Sequence, residues 1–165
     1  TIILILYSRD GYMFAHVGDG RAAVRINGEW ETILTPHKGS EANQTIFCTS
    51  QYLGLGEKSR PNLKMSGIYV PETRDVTERI DGLVLMSDGC ENGGWITYQK
   101  RNLENGDFVV EDVNLPRKAV LDQFINILGK EMSQREEATV DFITEYNDAF
   151  ENEPDDKTIL IGLVE

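Results

Sequence analysis

The stretch Gly82-Leu83-Val84-Leu85-Met86-Ser87-Asp88-Gly89 decides how this chain folds. Four large apolar residues in succession, with an Asp-Gly pair on either side, predict a short buried strand. Such a strand has no use for a charge at its end, yet this one stops at Asp88 with Gly89 behind it. A carboxylate in that position is carried by a rigid element, and the glycine beside it lets backbone or ligand come close.

The arrangement recurs. Phe14-Ala15-His16-Val17-Gly18-Asp19-Gly20-Arg21 also ends an apolar run on Asp-Gly. Near the C-terminus, Asp155-Asp156-Lys157-Thr158 opens the run Ile159-Leu160-Ile161-Gly162-Leu163-Val164. If that last strand runs antiparallel to the other two, Asp19, Asp88 and Asp155 arrive at one end of the sheets. Oxygen ligands gathered from distant parts of a chain suit a hard divalent cation.

The 165 residues are one domain's worth, enough to bury a single core. A net charge of −12 argues against nucleic-acid binding through the phosphate backbone and favours cations. Cys48 and Cys90 show no zinc spacing, so reduced thiols in a cytoplasmic protein are expected. No apolar run approaches the roughly 18 residues of a membrane span, and no signal peptide is recognisable. The chain opens at Thr1 inside an apolar run, as a piece of a longer protein would.

Taken in order, residues 1–7 predict a strand, Ser8-Arg9-Asp10-Gly11 a turn, and residues 12–17 the returning strand. Residues 22–26 and 29–34 flank Asn27-Gly28, a strong hairpin signal. The first 34 residues therefore read as one four-stranded meander. Residues 35–60 read as loop, 65–70 as a strand, and 73–80 as a strand leading through an Asp81-Gly82 turn into the run at Leu83. Glu91-Asn92-Gly93-Gly94 ends regular structure, and residues 95–115 are polar with no clear period. Residues 117–132 predict a helix with Val120, Leu121, Phe124, Ile125 and Leu128 on one face. Ser133-Gln134-Arg135-Glu136 reads as a capping box opening a second helix to about Phe150, with Ala138, Phe142, Ile143 and Tyr146 inward. Strands, paired helices and a closing strand make the class α+β.

The segments AHVGDGR, LVLMSDG and DDKTILIGLV, in this order and spacing, resemble successive motifs of the metal-dependent serine/threonine protein phosphatases, the type 2C family. The resemblance covers nearly all of the chain and about the C-terminal two thirds of that family's catalytic domain. It implies two antiparallel sheets packed as a sandwich with helices outside. It also implies hydrolysis of phosphoserine and phosphothreonine in proteins, a signalling activity, by two Mg²⁺ or Mn²⁺ ions and a metal-activated water. By resemblance Asp88 and Asp155 are catalytic metal ligands, Gly89 belongs to the same metal-binding motif, and Asp19 holds an additional, weaker ion. Asp156 stands where the family usually has asparagine. With Thr158 and Arg21 it forms the surround of the site. The family's opening segments, with a phosphate-binding arginine, a Glu-Asp pair and a bridging aspartate, have no counterpart here.

Other candidates carry plainer readings. Asp10-Gly11 and Asp81-Gly82 are turns. His16 lies on a strand, where alternation can point it into the core rather than at a proton to be transferred. His37 is structural, and Trp30 and Trp95 are packing residues. The competing functional reading is a phosphatase-like module without catalysis that regulates a partner. A calcium-binding structural domain is disfavoured because no D-x-[DN]-x-[DN]-G loop is present.

Overall fold

In the computed structural model, which describes residues 2–8, 11–36, 72–74, 80–146, 150 and 155–164, the apolar head of the chain forms a hairpin. Strand β1 (Ile2–Ser8) pairs antiparallel with β2 (Gly11–Val17), from Ile2↔Val17 to Ser8↔Gly11. A second hairpin joins β3 (Arg21–Ile26) to β4 (Glu29–Thr32). Its turn residues Asn27 and Gly28 have φ of 51° and 81°, the mirror-image turn that matches strand twist. Next come β5 (Glu72–Arg74), β6 (Ile80–Met86), a single 3-10 turn at Asp88–Cys90 and the short helix α1 (Glu91–Gly94). A long hairpin follows, β7 (Trp95–Asn102) with β8 (Phe108–Pro116). Helices α2 (Lys118–Leu128) and α3 (Met132–Glu145) and strand β9 (Ile159–Leu163) complete the described chain.

The strands form sheets ordered β1-β2-β5, β4-β3-β6-β9 and β7-β8, with antiparallel pairing throughout. The α+β reading holds, but the first two hairpins are not one meander. β2 belongs to one sheet and β3 to the next, and the chain changes sheets at Gly18-Asp19-Gly20. Gly18 has φ 114°, a conformation open to glycine and costly for other residues.

The four-stranded sheet is the middle layer. On one face Tyr12 and Phe14 of the first sheet meet Ala22, Val24 and Ile80, with Ile3, Ile5 and Leu85 packed around them. On the other, Ala23, Val84 and Met86 meet Trp95, Val120, Leu121, Ile127 and Phe142 of the helical side. Each large apolar side chain so buried contributes about 1.5–3 kcal/mol. β3 and β6 are covered on both faces, and their central runs Ala22-Ala23-Val24 and Leu83-Val84-Leu85-Met86 are therefore apolar without alternation.

Several local expectations change. Asp81-Gly82 is not a turn but lies inside β6, at a bulge where Ile26 faces Ile80 and Arg25 faces Gly82. The extra residue lets Ile80 face one core and Val84 the other. The polar stretch after Gly94 is the β7–β8 hairpin, whose distal half is exposed and so carries no alternation to read. Ser133 is not a cap: α3 starts at Met132 with Glu131 as its N-cap and no side-chain cap bond. Ile143, expected inward, is 51% exposed, whereas Ile127, absent from the predicted face, is buried. β4 ends at Thr32, and Ile33 and Leu34 are buried beyond it. Trp30 and Trp95 are packing residues as expected, at 9% and 1% exposure. His37, Cys48 and the strand expected over 65–70 lie outside the described residues. No described helix is long and apolar enough to cross a membrane.

Candidate metal centre

Register brings the acidic turns together. Arg21 of β3 pairs with Met86 of β6, and Met86 pairs on its other side with Ile159 of β9. The start of β3, the end of β6 and the start of β9 are thus level at one end of the middle sheet. Asp19 lies two residues before Arg21, Asp88 two residues after Met86, and Asp155 four residues before Ile159. The antiparallel β9 expected from the sequence is what places Asp155 beside Asp88.

The charges feel one another. Burial, followed by repulsion from Asp19 and Asp155, holds the Asp88 carboxyl above the ordinary carboxylate range. Among the described residues no group of three or more His, Cys, Asp or Glu side chains is placed to hold an ion. The carboxylates converge electrostatically without closing into a complete ligand cage. A cleft of about 400 Å³ opens beside them, lined by Ser87, Asp88, Asp155, Asp156, Thr158 and neighbouring apolar residues.

The backbone around Asp88 explains why the loop at 155–158 lies where it does. Ser87 N–H donates to the Thr158 carbonyl at 2.9 Å, and the Thr158 N–H donates to Ser87 Oγ at 2.9 Å. Ser87 Oγ in turn donates to the Asp156 carbonyl at 3.0 Å. Gly89 lies so close to this loop that a Cβ there would stand 2.4 Å from the Asp156 carbonyl oxygen and 2.9 Å from that of Asp155. Ser87 and Gly89 thus act as a clasp on the Asp155 segment. Ser87→Ala should cost about 1 kcal/mol, because the Thr158 N–H and the Asp156 carbonyl lose their shared partner but remain open to water. Chemical denaturation checks this.

The remaining sequence candidates divide. The Asp156 N–H donates to Asp155 Oδ1 at 3.0 Å, and Asp156 is among the residues lining the cleft. Thr158 contributes its backbone to the clasp. Lys157 Nζ donates to the Asp155 carbonyl at 3.2 Å, a cation beside the acidic loop. Arg21 does not reach the cleft: it is 3% exposed and held by Glu91 and Asn114. His16 Nε2 bonds the Thr35 carbonyl at 2.9 Å, a structural contact. Burial pushes the Cys90 thiol up, as for an inert core cysteine, and it stays a free thiol. Sequence reasoning missed Ser87, Glu91 and Asn114. Ser87 adjoins the Asp-Gly pair and is legible by position, whereas Glu91 and Asn114 depend on tertiary contact alone.

Acidic turns converging at one end of a β-sandwich, with helices covering its outer face, define an α+β domain with a cation-attracting edge. The chain belongs to the protein phosphatase 2C family, whose sequence profile matches residues 1–142. No curated protein sequence matches it significantly. Among solved structures, a bacterial serine phosphatase bearing an arginine-to-glutamate mutation is similar, at 17% identity and TM-score 0.48, over 99% of this chain and 52% of that one. A bacterial serine phosphatase bearing an arginine-to-alanine mutation gives 19% identity and TM-score 0.42, over 96% and 50%. The chain thus spans about half the length of each of these structures.

Proposed function

We propose that this chain carries part of the catalytic centre of a Mg²⁺- or Mn²⁺-dependent phosphoserine/phosphothreonine protein phosphatase. The observation that carries the reading is the common strand-end placement of Asp19, Asp88 and Asp155. The donor set fits: carboxylate and backbone oxygens suit Mg²⁺ or Mn²⁺, while Cys90 is buried with its thiol turned to the Thr158 carbonyl. Divalent ions, when bound, supply Lewis-acid activation of water and neutralise charge shifting between phosphoryl oxygens.

The chain's own residues account for the rest. Asp88 and Asp155 would hold the principal cation site and Asp19 an adjoining weaker one. Further oxygen ligands are needed, since the described residues do not form a closed set. In a chain of net charge −12 the bare cleft repels a phosphate dianion, so substrate affinity depends on cations being present. Ser87 and Gly89 keep the Asp155 segment against the Asp88 turn, and the open cleft admits a side chain presented on a peptide.

The test is hydrolysis of a phosphothreonine peptide by the full-length protein in Mn²⁺ and in EDTA, with Asp19→Ala alongside. Turnover should require Mn²⁺, and Asp19→Ala should lower it while leaving the principal ions bound. Loss of every ion in Asp19→Ala would show that Asp19 belongs to the principal site. The incomplete ligand set favours a second reading, a phosphatase-like module that regulates a partner. No turnover by the full-length protein, together with retained Mn²⁺ binding, would select it.

A further inference from the structure

The two acidic turns at Asp19 and Asp88 are joined by a buried ion pair. Arg21, two residues past Asp19, opens β3, and Glu91, three residues past Asp88, opens α1. Arg21 Nη2 lies 2.8 Å from Glu91 Oε1, with side-chain exposures of 3% and 17%. The other arm of the guanidinium, Nη1, donates to Asn114 Oδ1 at 2.8 Å. Asn114 is itself fixed: its Nδ2 donates to the Leu34 carbonyl at 3.0 Å, and its carbonyl accepts from Thr32 Oγ1 at 2.9 Å. The third nitrogen of Arg21, Nε, is buried with no hydrogen-bond partner among the described residues.

A largely buried ion pair is not what stability alone selects, because apolar residues of the same volume avoid its desolvation cost. Its placement supplies a reason. Repulsion between Asp19 and Asp88 pushes their turns apart whenever no cation lies between them. The Arg21–Glu91 contact pulls the same two turns together from the buried side, where charge-assisted bonds are strong and directional. The Asp88 turn is thereby held on both flanks, by Ser87 to the Asp155 segment and by Glu91 to the Asp19 turn.

We infer that Arg21 and Glu91 are positioning residues that set the Asp19–Asp88 separation, and with it the affinity of the cation site between them. The inference rests on reading those aspartates as one cation site. Its test is Mn²⁺ binding, followed by the electron paramagnetic resonance signal of free Mn²⁺, in the full-length protein and in the double variant Arg21→Met/Glu91→Met. Replacing both partners by apolar side chains removes the contact without leaving a lone buried charge. The weaker Mn²⁺ site should lose at least about tenfold in affinity, which is about 1.4 kcal/mol. The KM for a phosphothreonine peptide at saturating Mn²⁺ should stay unchanged, whereas a general loss of packing moves both. If the double variant does not fold, Glu91→Gln serves, and a shift of about threefold or more is expected because shape and one hydrogen bond persist. A folded variant whose Mn²⁺ isotherm overlays the wild type overturns the positioning role alone. A wild-type protein that binds no Mn²⁺ overturns the cation-site reading, and the positioning role falls with it.

Discussion

Gly89→Ala is expected to reduce phosphopeptide turnover by at least about a hundredfold while leaving most of the secondary structure in place. The added Cβ would stand 2.4 Å from the Asp156 carbonyl oxygen and 2.9 Å from that of Asp155. Both obstacles are backbone, so neither can swing aside as a flexible side chain would. The Asp155 segment has to move away from Asp88, and the clasp through Ser87 Oγ, Thr158 N–H and the Asp156 carbonyl breaks with it. If Asp155 is a ligand of the proposed cation site, displacing it by about 1 Å is enough for a loss of that size. The overlap itself costs about 1–3 kcal/mol of stability. Turnover, denaturant midpoint and far-ultraviolet circular dichroism, measured together, separate local displacement from unfolding. Wild-type turnover in Gly89→Ala would mean that the Asp88 and Asp155 turns need not touch.

Asp88→Asn should have opposite effects on activity and on metal-free stability. On the proposed function turnover should fall about a thousandfold, or about 4 kcal/mol of barrier, because the carboxylate at the centre of the acidic edge is replaced by a neutral group. In EDTA, however, the variant should be the more stable protein near neutral pH. The Asp88 carboxyl is held above its ordinary value by burial and by Asp19 and Asp155. A carboxyl raised in the folded state binds more protons there than in the unfolded chain, so stability falls as pH rises from the unfolded value through the raised one. Above that window the full penalty of a charged Asp88 is present, and below it the penalty is absent. The group is partly open to solvent, so screening keeps the gain from asparagine to at most about 1 kcal/mol. For a domain of this size that is a rise in Tm of about 2–4 °C. Thermal unfolding in EDTA across pH should show the wild type losing stability through the window and Asp88→Asn lacking that slope. Equal Tm values at all pH would show that Asp88 is not in conflict with its neighbours.

Much of this site is legible in the amino-acid sequence, and the reason is strand geometry. Val84-Leu85-Met86 and Ile159-Leu160-Ile161 are apolar at successive positions because one strand is covered on both faces and the other borders it, so each Asp next to them stands out. Asp81 misleads because a bulge inside a strand and a turn between strands share the same Asp-Gly pair. The β7–β8 hairpin is silent for a different reason. Beyond Tyr98 its side chains face solvent on both sides, leaving no period to detect. The sheet change at Gly18-Asp19-Gly20 is hidden because a glycine corner looks alike whether the chain returns to the same sheet or crosses to another. Glu91 and Asn114 lie 70 and 93 positions from the arginine they hold, so only the folded chain associates them.

If Asp19, Asp88 and Asp155 serve one cation site, Mn²⁺ shifts the thermal unfolding of the protein upward. Binding to the folded state alone raises stability by mass action, by about 2.7 kcal/mol when Mn²⁺ stands at a hundred times its dissociation constant. In millimolar Mn²⁺ the full-length wild-type protein should unfold several degrees higher than in EDTA. Asp88→Asn should lose most of that shift and Asp19→Ala only part of it. A wild-type shift of the same size in Asp88→Asn, or no shift in any of the proteins, would show that the three aspartates do not share a cation site.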